Sequence, residues 1–271
     1  MKPRQLAQKA IRKVVTAAKA TIAERGFRKL AGSYDLQGYR RVYLIHIRKT
    51  GGTSLNNMFL SLSGEDPKLL YSRLAEAPGH QLQSNGLIYV GWNVRLINKG
   101  NYFYAFSHTP LHQLDLPQGT FTVSCFRDPV KRVLSHYNML MDFRVNNINH
   151  PCMATEGKWL GEDLDDFLQR IPKQHLLNQL YMFSSDFDVN EAVSKVRQLS
   201  HYFFSEEFDT GVDDLNRKTG LALKSIHIRK ANYQSQVSEQ ALLKLKEMLE
   251  DEYRFLAIIK EKGTEGINSS N

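Results

Sequence analysis

Residues 41–60 read R-V-Y-L-I-H-I-R-K-T-G-G-T-S-L-N-N-M-F-L, and the fold class follows from how that stretch divides. Residues 42–47 are a short, mostly apolar run with β-branched members, as expected of a strand buried on both faces of a parallel sheet. Arg48, Lys49, Thr50, Gly51, Gly52, Thr53 and Ser54 follow, and beyond them Leu55, Met58 and Phe59 fall at helical spacing. Strand, glycine turn and helix in that order aim backbone N–H groups and a helix N-terminus at one point, which makes a site for an anion. Gly51 and Gly52 let the backbone come close to it. Lys49 adds a cation, and Thr53 and Ser54 add two hydroxyls. A glycine turn joining any strand to any helix would look similar, so the case needs a second stretch.

Residues 121–139 supply it, reading F-T-V-S-C-F-R-D-P-V-K-R-V-L-S-H-Y-N-M. An apolar strand over 122–126 leads into Arg127-Asp128-Pro129, and proline fits the first turn of a helix. Val130, Val133, Leu134 and Tyr137 give that helix an apolar face. Arg127 at the strand end and Ser135 two turns on place a planar guanidinium beside a hydroxyl, which suits a phosphate.

An ATP-binding P-loop needs G-x-x-x-x-G-K-[ST], with lysine after the last glycine; here Lys49 precedes the glycine pair. The order Lys-Thr-Gly-Gly-Thr instead resembles the 5′-phosphosulfate loop of sulfotransferases that use 3′-phosphoadenosine 5′-phosphosulfate (PAPS). The likeness is to the branch that includes the heparan sulfate 2-O and 6-O enzymes, whose loop reads H-I-P-K-T-G-G-T; Arg48 stands in place of its proline. The second stretch resembles the 3′-phosphate motif of the same family, R-D-P-x-x-R-x-x-S-x-Y, with Arg127, Asp128, Pro129, Arg132, Ser135 and Tyr137 at its positions.

The resemblance implies an α/β three-layer sandwich with a central parallel sheet and P-loop-like topology. It implies transfer of a sulfuryl group from PAPS, leaving adenosine 3′,5′-bisphosphate (PAP), to a hydroxyl or amine of a saccharide or small polar metabolite. Residues 48–54 would hold the 5′-phosphate, Arg127 and Ser135 the 3′-phosphate, and a late basic loop with Arg229 and Lys230 would clamp the cofactor. Lys49 would neutralise charge growing on the leaving phosphate, with no metal required.

Residues 102–107 read as a further strand ending in Ser107-His108-Thr109-Pro110, and strand ends are where α/β folds place chemistry. His108 is the candidate general base, because the acceptor proton must leave and imidazole titrates near neutral pH. The relatives also carry a catalytic histidine at such a strand end between the two motifs. His112 is the rival, and His46 reads as a packed residue.

The remaining pattern predicts strands at 86–92, 201–205 and 224–228, and helices at 161–170, 175–183, 189–199 and 206–220, the last closed by Gly220. Glu206 and Glu207 read as capping residues at its start. Residues 60–83 read as loop and short helix. Residues 139–160 read as a long loop, assigned to acceptor recognition, and 238–262 as one final helix capped by Ser238.

At 271 residues with 42% hydrophobic content, the chain supports one large α/β domain or two small ones. No apolar run approaches a membrane span, and the N-terminus lacks an apolar signal core. Cys125 and Cys152 make neither a disulfide framework nor a metal cluster, which fits a reducing cytoplasm. The net charge of +8 is concentrated: residues 1–41 carry 11 Lys or Arg against Glu24 and Asp35, leaving 25 basic and 26 acidic residues elsewhere. A near-neutral body argues against nucleic-acid binding.

Residues 1–40 read as a basic amphipathic helix, 41–262 as the sulfotransferase-like domain and 263–271 as a flexible tail. The leader either contacts an anionic membrane surface through residues 1–30 or packs on the domain with its basic face in water; its lack of Trp favours packing. Two other function classes fit parts of the pattern: a nucleotide-dependent kinase or NTPase of related topology, which needs an acidic Mg²⁺ site, and a membrane-surface binding protein without catalysis.

Overall fold

The computed structural model describes residues 25–226, 233, 235 and 237–265. Its centre is a six-stranded sheet of β1 (Arg41–Ile45), β2 (Gln81–Ser84), β3 (Leu87–Gly91), β4 (Tyr104–Ser107), β5 (Thr120–Phe126) and β6 (His201–Phe204), in the order β2-β3-β4-β1-β5-β6. Only the β2–β3 pair is antiparallel. The first strand is thus central, and Val42, Tyr43, Leu44 and Ile45 are all 0–1% exposed, which explains its unbroken apolar run.

Alternate residues of β1 feed separate cores. Val42 and Leu44 pack with Tyr104, Phe106 and Val123 against α1 (Gly52–Ser61) and α2 (Pro67–Glu76), where Leu55, Met58, Phe59, Leu70 and Leu74 are buried. Tyr43 and Ile45 face the opposite cluster, which holds Val133 and Leu140 of α4 (Pro129–Val145) and Leu245 and Phe255 near the C-terminus. Helices therefore flank both faces of a mostly parallel sheet. The short helix α3 (Val94–Lys99) leads into β4 and closes on Gly100 at φ 70°.

Several boundaries differ from expectation. The stretch 60–83 holds the full helix α2, capped by Asp66, and the edge strand β2. The helix after Arg127 runs to Val145, because Leu140 and Met141 continue its buried face, so the loop starts at Asn146. Residues 161–183 form α5 (Leu164–Arg170), α6 (Lys173–Leu176) and α7 (Asn178–Tyr181). Next come α8 (Val189–Arg197) and α9 (Phe208–Thr219), the latter capped by Gly220 at φ 70° as expected.

Glu207 occupies the N-cap of α9 but its side chain makes no capping hydrogen bond, and Glu206 Oε1 instead accepts from the Asp128 N–H at 3.3 Å. Residues 221–226 are not a strand. The expected final helix breaks at Leu249 (φ −104°) into α10 (Glu239–Met248), capped by Ser238, and α11 (Glu250–Glu265), which carries into the expected tail. Residues 1–24 of the leader, Arg229, Lys230 and residues 266–271 lie outside the described residues. Among the described residues no helix is long and apolar enough to cross a membrane.

Arg132 is the largest fully buried side chain and sits in the core. Its Nε lies 3.6 Å from Glu252 Oε2 of α11, both side chains being 0% exposed, and its Nη2 donates to the Leu176 carbonyl. Removing one partner leaves a buried charge uncompensated. Arg132→Met is expected to cost about 3–5 kcal/mol in urea unfolding; a loss below about 1 kcal/mol would mean that the pair contributes little to holding α11 on α4.

Candidate functional site

The site forms at one edge of the sheet because of register. Ile45 of β1 stands opposite Ser107 of β4 and Ser124 of β5, so the segments that follow these strands leave from the same end. After β1 the chain turns sharply. Lys49 (φ 69°) and Gly51 (φ 106°) are both left-handed, and the Thr50 hydroxyl donates to the Ile47 carbonyl at 3.1 Å. Gly51 is the N-cap of α1 and offers no side-chain oxygen to its first turn. Gly52 is required for space, since a Cβ there would overlap the His46 ring. Thr53 is exposed and Ser54 is buried.

The two motifs meet directly. Arg127 Nη1 donates to the Lys49 carbonyl at 3.0 Å. The Gln179 side chain holds the Arg127 backbone, accepting from its N–H at 2.8 Å and donating to its carbonyl at 2.9 Å. Asp128 caps α4 through the Lys131 N–H at 2.8 Å and accepts from the Tyr253 hydroxyl at 3.1 Å. Ser135 lies half-buried on α4, two turns beyond. The Lys49 ammonium is half-buried, and its Nζ lies 3.4 Å from the Met139 thioether of the same helix. Burial, then the Arg127 charge, pushes its pKa down to about 8. A bound anion there would reverse that shift by favouring the charged form.

His108 follows β4. Its Nδ1 lies 2.6 Å from the His46 carbonyl. A carbonyl only accepts, so Nδ1 carries the hydrogen and Nε2 keeps its lone pair. The His46 and His108 rings lie 4.3 Å apart. Burial, then Arg48, pushes the His108 pKa down to about 4, against the bond to the His46 carbonyl. At neutral pH the ring is therefore uncharged with Nε2 unprotonated, and it is a weaker base than the near-neutral imidazole expected from the sequence. His112 is exposed, on a separate turn, with its ring against Tyr181 at 5.5 Å.

Arg48 behaves differently from its expected role as a cofactor ligand. Its guanidinium pairs with Glu156 at 2.7 Å. The other oxygen of Glu156 meets His136 Nε2 at 2.7 Å, and Glu156 is 3% exposed. The His175 ring lies 4.6 Å from that of Trp159, and burial followed by the Arg48 charge pushes its pKa down to about 4. Glu156, His136 and His175 were not singled out in the sequence. Glu156 sits in a segment without periodicity, and its one signal was that this segment read as an acceptor loop. Thr50 likewise spends its hydroxyl inside the turn, leaving only its backbone for a ligand. Among the described residues no group of three or more His, Cys, Asp or Glu is placed to hold a metal ion.

No known family model matches the chain, and no curated protein matches it.

Buried and half-buried histidines give the fold an acid-side weakness. Burial pushes His46, His108, His136, His175 and His201 below the ordinary value of 6.5. Below that pH the unfolded chain takes up protons that the folded chain refuses. Stability is therefore complete above about pH 6.5 and lost as pH falls toward 4. His108 alone accounts for about 2 kcal/mol between pH 7 and 5. Urea unfolding of His108→Gln at both pH values is expected to show a loss smaller by about that amount; an equal loss would contradict the lowered pKa of the ring.

Proposed function

We propose that the chain is a sulfotransferase that moves a sulfuryl group from PAPS to a hydroxyl or amine of a saccharide or small polar metabolite. The observation that carries this is the bond from the Arg127 guanidinium to the Lys49 carbonyl, which gathers two anion-binding arms at one sheet edge. The turn into α1 with no side-chain cap and the half-buried Lys49 fit an anion held by backbone amides and an ammonium. The five parallel strands run second, third, first, fourth, fifth across the sheet, with the glycine turn after the central one. That order supports P-loop-like topology for the proposed fold.

Bound PAPS supplies the sulfuryl group on a phosphosulfate anhydride. The turn amides with Thr53 and Ser54 hold the 5′-phosphate, and Arg127 with Ser135 holds the 3′-phosphate. His108 takes the acceptor proton on Nε2, the ring nitrogen left unprotonated by its bond to the His46 carbonyl. Lys49 neutralises charge on the leaving phosphate oxygen. Arg48 contributes through its backbone, its side chain being committed to Glu156. Cys125 and Cys152 are free thiols, which fits a cytoplasmic setting for the proposed enzyme.

Calorimetric titration with PAP in the absence of Mg²⁺ tests the reading. Micromolar binding is expected, weakened at least tenfold (about 1.4 kcal/mol) by Arg127→Ala. His108→Ala is expected to leave that affinity within about twofold while abolishing transfer, as for a group that acts only on the proton. No binding by folded wild type, or binding of ATP that requires Mg²⁺, would overturn the assignment in favour of an NTPase.

A further inference from the structure

The Arg127 corner is held from behind by a buried polar chain that neither motif contains. Gln179 of α7 and Glu252 of α11 are both 0% exposed. Glu252 Oε1 accepts from the Gln179 backbone N–H at 2.7 Å, and its Oε2 accepts from Gln179 Nε2 at 3.2 Å. The same amide group meets both backbone polar groups of Arg127, its N–H at 2.8 Å and its carbonyl at 2.9 Å. Only one orientation of the Gln179 amide satisfies all of these. The oxygen must face the Arg127 N–H, and the NH₂ must face two acceptors, the Arg127 carbonyl and the Glu252 carboxylate. Glu252 thus anchors, as a second acceptor, the amide orientation that the Arg127 backbone requires. The amide fixes the peptide planes on both sides of the Arg127 Cα, and these set the direction of its side chain. Arg132 places its guanidinium beside Glu252 in the core, its Nε 3.6 Å from Oε2.

We propose that Gln179 and Glu252 are positioning residues of the nucleotide site, acting on a bound phosphate only through the direction they give Arg127; this rests on the sulfotransferase reading. The C-terminal helix α11 is then part of the nucleotide site although it meets no ligand. Its neighbouring residue Tyr253 reinforces the same corner through Asp128.

A double-mutant cycle on the full chain tests it, with PAP affinity by calorimetry and thermal unfolding as readouts. Gln179→Met keeps the bulk and removes the amide. It is expected to weaken PAP binding about fivefold or more in the wild-type background and to add nothing in Arg127→Ala. Gln179→Asn, which withdraws the amide by one methylene, carries the same comparison if Gln179→Met does not fold. Wild-type affinity in a folded Gln179 variant would overturn the inference and leave the proposed function standing. Equal weakening in both backgrounds would also overturn it, since the effect would then not pass through Arg127. Absence of PAP binding by the wild type would overturn both.

Discussion

One hydrogen bond, from the Arg127 guanidinium to the Lys49 carbonyl, ties together segments that the chain keeps far apart. It exists because β1 lies between β4 and β5, with Ile45 level with Ser107 and Ser124. Shift that register by one residue and every side chain of β1 would change faces, exposing Val42 and Leu44 to the wrong core. The packing that fixes the register therefore also fixes where the glycine turn, the His108 segment and the Arg127 corner emerge. In a parallel sheet all three leave from the same edge, where strand ends place chemistry.

The electrostatics of that edge follow from burial more than from pairing. Lys49 and Arg127 lie in a half-buried corner, where desolvation disfavours the charge of each and the Arg127 charge further disfavours that of Lys49, while Glu206 and Asp128 partly offset the effect on Arg127. The clustering costs stability, which makes it a pattern expected where an anion is to be received. Arg48 shows the contrast. With Glu156 as partner, and His136 on the far side of that carboxylate, its charge is absorbed into the structure. Cations adjacent in sequence thus end in different roles because one meets a buried carboxylate and the other a thioether.

Much of the architecture was legible in local pattern. The strands of the parallel core stand out because burial on both faces demands unbroken apolar runs, and the turn at 48–52 because its glycine pair marks a tight turn and a close approach. Boundaries failed where burial, not composition, decides the end of a helix: α4 continues to Val145 because Leu140 and Met141 stay in the core, and the last helix breaks at Leu249. Of the site, Lys49, His108 and Arg127 converge on one edge as their positions at strand ends suggest. Glu156, His136, Gln179 and Glu252 were illegible because each acts through a contact distant in sequence, and a buried Glu or Gln carries no periodicity of its own.

The sequence by itself determined an α/β chain with an early strand buried on both faces, a glycine turn opening a helix and an arginine closing a later strand, since these depend on neighbours within a few residues. Tertiary structure alone decided which charges are spent and which are offered. Arg48 and Arg132 are consumed by Glu156 and Glu252, while Lys49 and Arg127 are set side by side. It also decided the His108 tautomer, because the carbonyl that accepts its Nδ1 hydrogen belongs to His46 on a neighbouring strand's extension. Such outcomes turn on which groups share a desolvated space, and only the folded packing brings them there.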